Sequence, residues 1–229
     1  MNEECLLPSG ARDFRIKPLA PDVPKIAISS DDGPYEGSIE ELLGVLQDSG
    51  VRATFFWIVE NARRIKENDP VWFEKIMYQV NDDGHEIGLH GPSDYTPSLR
   101  TRLVTAHGPR EIRRAYWELE RLTGMDVRYF RPHILLQPIA VATARLLGLR
   151  TPIPDAKNYA NGDAPVEEQV MKFSRGKEGG ILVFHDGISL NRPITNAVAA
   201  MPQVIANLRA RGLEPTNISG LPQGSYRSL

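Results

Sequence analysis

The feature that most constrains this chain is a repeated alternation. Short apolar runs are followed by helical patterns, with about a dozen residues or more between one run and the next. A two-residue turn joins antiparallel strands, whereas parallel neighbours need a crossover of that length, usually a helix. The pattern predicts strands near 25–29, 52–57, 86–90, 128–131, 149–153 and 180–185. It predicts helices between and after them. Ile39, Leu42, Leu43 and Leu46 fall on one helical face behind a Ser38/Glu41 capping box and stop at Gly50. Asp69-Pro70 opens a helix whose buried face is Phe73, Ile76, Met77 and Val80, with Gly84 at its end. Pro109 opens another, with Ile112, Tyr116, Leu119 and Leu122 inward and Gly124 closing it. Further helices are expected at 138–147, from Asp163/Pro165 to near Gly176, and at 195–211 with a kink at Pro202. The sum is a mainly parallel α/β architecture, an open sheet or a barrel.

Composition narrows the function classes. The chain has 229 residues, 41% of them hydrophobic, enough for a packed core. Its net charge of −2 gives no support to a nucleic-acid or anionic-membrane partner. No apolar run approaches the ~18 residues of a membrane span. Cys5 stands alone, so an intrachain disulfide and a cysteine-based zinc site are both excluded. Residues 1–24 carry four prolines and no periodicity, and read as a lead-in segment. They show no basic-then-apolar signal pattern, which reads as cytoplasmic. Residues 25–215 read as the domain and 216–229 as a C-terminal tail.

In parallel α/β folds, sites gather at the carboxyl ends of strands. Here those ends carry Asp31-Asp32-Gly33, His90-Gly91-Pro92-Ser93-Asp94, Arg131-Pro132-His133 and His185-Asp186, and the fifth strand is followed by Asp155, Asn158 and Tyr159. Adjacent aspartates on a strand point in different directions, so one can bind a metal while the other acts as a base. The simpler alternative is an Asp-Gly turn. His90 and Asp94, four apart, can reach one cation such as zinc, or can be a buried histidine beside a solvated loop aspartate. His185, after Ile181-Leu182-Val183-Phe184, is a core histidine or an acid/base. His85 begins its strand, at the end away from the site, and reads as structural. His107 reads as a surface or capping residue.

Taken together, five segments resemble the polysaccharide deacetylase family, the NodB-homology carbohydrate esterases. SSDDGP at 29–34 is similar to the family's TFDDGP, and DDGHEIGLHGPSD at 82–94 to its histidine motif. FRPHIL at 130–135 is similar to RPPYG, DAKNY at 155–159 to DxxDW, and ILVFHD at 181–186 to LxHD. The resemblance implies a distorted, incomplete (β/α) barrel and metal-dependent removal of acetyl groups from an N-acetylated sugar or polysaccharide, chitin- or peptidoglycan-like. The implied cofactor is a divalent ion, zinc in first place. Carried over by position, Asp31 is the general base, Arg131 orients it, and His185 is the general acid. Asp155 joins the catalytic set. Asp32, His90 and Asp94 are the metal ligands. Ile134, His133 and Tyr159 face substrate, with the Ile134 amide near the oxyanion. Asp94 stands where the family has a histidine, His133 where it has proline, Asn158 where it has the carboxylate paired with the acid, and Tyr159 where it has tryptophan. Those departures leave two alternatives open: a silent family member that binds glycan or a partner, and a hydrolase of another small, cyclic amide.

Overall fold

The computed structural model describes residues 23–93, 107–132, 137–155, 164–185, 188–189, 192–193 and 195–229. Strand β1 (Lys25–Asp31) leads to α1 (Ser38–Ser49), then β2 (Thr54–Ile58), α2 (Val59–Asn68), α3 (Pro70–Asp82) and β3 (Glu86–Gly91). Helices α4 (Pro109–Thr123), α5 (Pro138–Leu146) and α6 (Val166–Phe173) precede β4 (Ile181–His185). A small hairpin, β5 (Ile188–Ser189) and β6 (Arg192–Pro193), α7 (Thr195–Ala210) and β7 (Glu214–Thr216) complete the order. The main sheet runs β3-β2-β1-β4 with every pair parallel, and β7 joins the first half of β1. This is the parallel α/β arrangement expected.

The wall continues beyond β3 by single bridges rather than strands. Phe130 pairs with Leu89, and Tyr129 with Arg150. The strands expected at 128–131 and 149–153 are therefore reduced to bridges. Pro132, Pro152 and Pro154 lack the amide donors that a ladder needs. Residues 151–153 pair instead with the end of the chain, Pro152 opposite Ser228. The Asp155 amide then reaches the Ile181 carbonyl at 3.4 Å, bringing the wall back to β4. The result is a distorted, incomplete barrel.

The period-2 alternation of strands sorts the side chains into two layers. Ile26, Ile28, Phe55, Trp57, Ile87, Leu89, Phe130, Leu182 and Phe184 pack outward under the helices in the main core. Ala27, Phe56, Tyr129 and Ile181 point the other way and meet Ile218 and Leu221 from the last segment. The residues after Thr216 thus pack under the barrel floor.

Helix ends follow their local chemistry. Gly50 and Gly124 close α1 and α4 in the left-handed conformation. Asp69 caps α3, accepting from the Trp72 amide at 2.9 Å. Ser38, expected as the cap of α1, is its first helical residue instead, and Gly37 with φ 87° holds the cap position. The Ser38 hydroxyl turns back to the Tyr35 carbonyl. Helix α2 is an addition to the sequence reading. It follows β2 with no turn residue between them, because Ile58 is both the last residue of the strand and the cap of the helix.

Candidate active site

The inward-facing set changes character along the strands. At the floor it is apolar. At the carboxyl ends it is Ser29, Asp31, His90, Arg131 and His185, all buried. Register brings them level, since Asp31 pairs with His185 across β1 and β4. Arg131 Nη1 donates to Asp31 Oδ1 at 2.7 Å and to Ser29 Oγ at 2.9 Å. The Ser29 hydroxyl donates in turn to the Leu182 carbonyl at 2.8 Å. The guanidinium lies 4.0 Å above the ring of Phe56. Gly88 makes room for that ring, because a Cβ at position 88 would stand 2.7 Å from it. Asp31 is therefore held by a charged hydrogen bond, on a donor that is itself fixed by a hydroxyl and an aromatic face.

Asp32 follows with φ 72°, among the described residues the one non-glycine in the left-handed region. That conformation costs a residue with a Cβ about 1–2 kcal/mol, less for aspartate than for most. It turns the chain so that the carboxylate of Asp32 reaches the imidazoles of both β3 and β4. His90 Nε2 stands 3.0 Å from Oδ1, and His185 Nε2 3.8 Å from Oδ2. His90 Nδ1 stands 2.7 Å from the Arg131 carbonyl, an acceptor, so Nδ1 carries the proton. Arg131 thus serves twice, its side chain on Asp31 and its backbone on His90.

This chemistry fits a cation. With Nδ1 protonated, neutral His90 turns the lone pair of Nε2 toward a carboxylate oxygen, and two acceptors at 3.0 Å are favourable only around a proton or a metal ion. Among the described site residues there are two carboxylates, Asp31 and Asp32, and one guanidinium, Arg131, which leaves one negative charge when the imidazoles are neutral. Asp32 and His90 are an oxygen and a nitrogen donor of the kind zinc and similar ions take. Among the described residues no group of three His, Cys, Asp or Glu makes a full metal set. Asp94, the third expected ligand, lies outside the described residues, as do His133, Ile134, Asn158, Tyr159 and Asp186.

Asp155 needs a correction as a catalytic residue. Its amide meets Ile181, the first residue of β4, whereas the site is at His185. Four residues of strand separate those levels by about 13 Å. The bridge of Pro152 to Ser228 and the pairing of Ile153 with Arg227 draw this segment along the amino end of β4. His85 is structural, as expected. It accepts from the Ala53 amide at 3.0 Å, and burial, with Arg52 adding to it, pushes its pKa down to about 4. His107 has its ring against Gly91, the last residue of β3. The sequence reading did not single out Ser29, Phe56 or Gly88. The signal for Ser29 was there: two residues before Asp31, it must share its face.

The fold and this site define a class, and comparison with known proteins gives the same one. Residues 20–151 match the model of the polysaccharide deacetylase family, and the chain belongs to that family. A peptidoglycan-N-acetylglucosamine deacetylase of Bacillus cereus is 25% identical over 201 residues, covering 86% of this chain and 87% of its own. Among solved structures, a family 4 carbohydrate esterase from Streptomyces lividans in complex with acetate superposes with a TM-score of 0.70 at 26% identity, over 89% of this chain and 96% of that one. A family 4 acetyl xylan esterase from Clostridium thermocellum, in complex with a cobalt ion, shares the fold with a TM-score of 0.67 at 22% identity, over 86% and 92% of the two chains.

Proposed function

We propose that this chain is a metal-dependent hydrolase that removes acetyl groups from an N-acetylated sugar or polysaccharide. The observation that carries the reading is the pairing of Asp31 with Arg131 beside the pairing of Asp32 with His90, at the carboxyl ends of neighbouring strands. The B. cereus relative, named for deacetylation of N-acetylglucosamine in peptidoglycan, supports the substrate class.

When bound by Asp32 and His90, with Asp94 as third ligand, a divalent ion, zinc in first place, supplies Lewis acidity to the acetyl carbonyl and lowers the pKa of a water. The protein does the rest. Asp31 takes the proton from that water as general base. Arg131 aims the carboxylate, its Nη1 donating to Asp31 Oδ1 at 2.7 Å. His185 gives its proton to the departing amine nitrogen. His185 Nε2 lies 3.8 Å from Asp32 Oδ2, beside the proposed ligands, which places it for that transfer. Ile134, His133 and Tyr159 are proposed to face substrate.

The test is acetate release from chitin oligomers, peptidoglycan fragments and acetylated xylan, and ring opening of small cyclic imides, each with and without added zinc or cobalt. Chelator-sensitive release from the N-acetylated sugars is the expected result. Ring opening of the imides alone would move the reading to a cyclic amide. Substitution of the family histidine by Asp94 and of its carboxylate by Asn158 favours one further reading, a silent member. Glycan binding without turnover on any substrate would establish it.

A further inference from the structure

The geometry points to Asn61 as a positioning residue for the metal ligand Asp32. This inference rests on the reading of Asp32 and His90 as ligands and extends it to a residue bonded to the Asp32 backbone. Asp32 keeps a left-handed backbone, which a residue with a Cβ adopts only when its surroundings hold it there. The holding contact is visible. Asn61 Nδ2 donates to the Asp32 carbonyl at 3.0 Å. The next carbonyl, of Gly33, accepts from the Ile58 amide at 2.8 Å. Two successive carbonyls after β1 are thus fixed by the start of α2. The same turn reaches the other ligand loop, since the Glu60 amide donates to the Pro92 carbonyl at 3.0 Å, two residues beyond His90.

The first turn of α2 therefore clamps both ligand-bearing loops, and Asn61 is its side-chain element. The Ile58 and Glu60 bonds are donated by backbone amides and need no particular side chain. Asn61 is the member of the clamp that the sequence specifies. Its amide fixes the peptide after Asp32, and so the direction in which the Asp32 carboxylate leaves the chain. Without it, that peptide can rotate toward ordinary backbone angles and carry Oδ1 away from His90.

The experiment is a cobalt(II) titration of the metal-free full chain, read by visible absorption and calorimetry, for wild type, Asn61→Ala and the near-isosteric Asn61→Leu. Arg64→Ala, an exposed position one turn further along α2, controls for general effects on the helix. Both Asn61 variants are expected to bind cobalt about 10–100-fold more weakly, as loss of an outer partner of a ligand does. Their cobalt spectra should shift, which a purely structural role would not produce. Their metal-free melting temperatures should fall by no more than the about 2–4 °C that one hydrogen bond is worth in a chain of this size. Arg64→Ala should match wild type. If the wild type takes up neither cobalt nor zinc, the metal site itself is wrong and the inference falls with it. If wild type binds and both Asn61 variants bind with the same affinity and spectrum, the inference alone is overturned. Should Asn61→Ala not fold, Asn61→Ser is read in the same titration against the same criterion.

Discussion

At the scale of single residues, the site works by giving neighbouring aspartates different partners. Asp31 faces Arg131, and Asp32 faces two imidazoles. If Asp31 is the base and His185 the acid, Asp31→Asn and His185→Ala should each lower kcat by about 10²–10⁴-fold. Both should still bind metal in equilibrium dialysis. Near-normal turnover in either variant would remove that residue from its role, and loss of metal from Asp31→Asn would make it a ligand. His85 carries a different prediction. Its pKa is about 4 in the folded chain against an ordinary 6.5. Between those values the unfolded chain binds a proton that the folded chain does not, so stability is full above pH 6.5 and declines as pH falls toward 4. The loss from this one group is on the order of 2–3 kcal/mol. Urea unfolding at pH 7 and pH 4.5 should show a smaller acid loss in His85→Gln than in wild type. Equal losses would place the acid sensitivity elsewhere.

At the scale of elements, a strand position with no side chain supports the catalytic pair from below. Gly88 lies under the ring of Phe56, and that ring lies under the guanidinium of Arg131. In Gly88→Ala the new Cβ would also stand 3.3 Å from the Tyr129 carbonyl, so the aromatic ring has to move. Overpacking of this kind typically costs about 1–3 kcal/mol. Gly88→Ala should therefore lower both stability and kcat, because the displaced ring carries Arg131 with it. Wild-type unfolding free energy together with wild-type kcat would show that Phe56 is not a support. Helix α7 shows the reverse economy: it runs unbroken through Pro202. Val198, Ala200, Met201, Val204, Ile205 and Leu208 are all buried along it, and packing outweighs the missing amide.

At the scale of the whole molecule, the wall of the barrel is completed by its last residues. The Ile153 amide donates to the Arg227 carbonyl, the Thr151 amide to Ser228 Oγ, and the Leu229 amide to the Thr151 carbonyl. Ser225 lies against Gly179, where a Cβ would stand 2.8 Å from its carbonyl oxygen. Removing residues 225–229 breaks these bonds, each worth about 1 kcal/mol, and opens the seam between 151–153 and β4. The melting temperature should fall by at least about 4 °C. An unchanged melting temperature would mean that the seam is closed by something other than this segment.

The sequence by itself determined the parallel α/β plan and the convergence of Asp31, Asp32, His90, Arg131 and His185. The reason is local: crossover length dictates parallel pairing, period 2 dictates which face a residue takes, and a parallel sheet puts all its carboxyl ends on one side. Other features were decided only by tertiary structure. Helix α2 follows its strand without a break, so no turn residue announces it, and β7 is three residues with Pro215 at its centre; α2 is seated against α3 and α4, and β7 against the first half of β1. Asp155 looked equivalent to the other strand-end groups because sequence gives order and not level. Its level was set by Pro152 and Ile153 pairing with residues some seventy positions away. The left-handed turn at Asp32 depends in the same way on Asn61, whose bond to it closes across two elements. Local periodicity can place a side chain on a face, but the height and angle at which it meets its partners are fixed by contacts between distant segments, and those exist only once the barrel has closed.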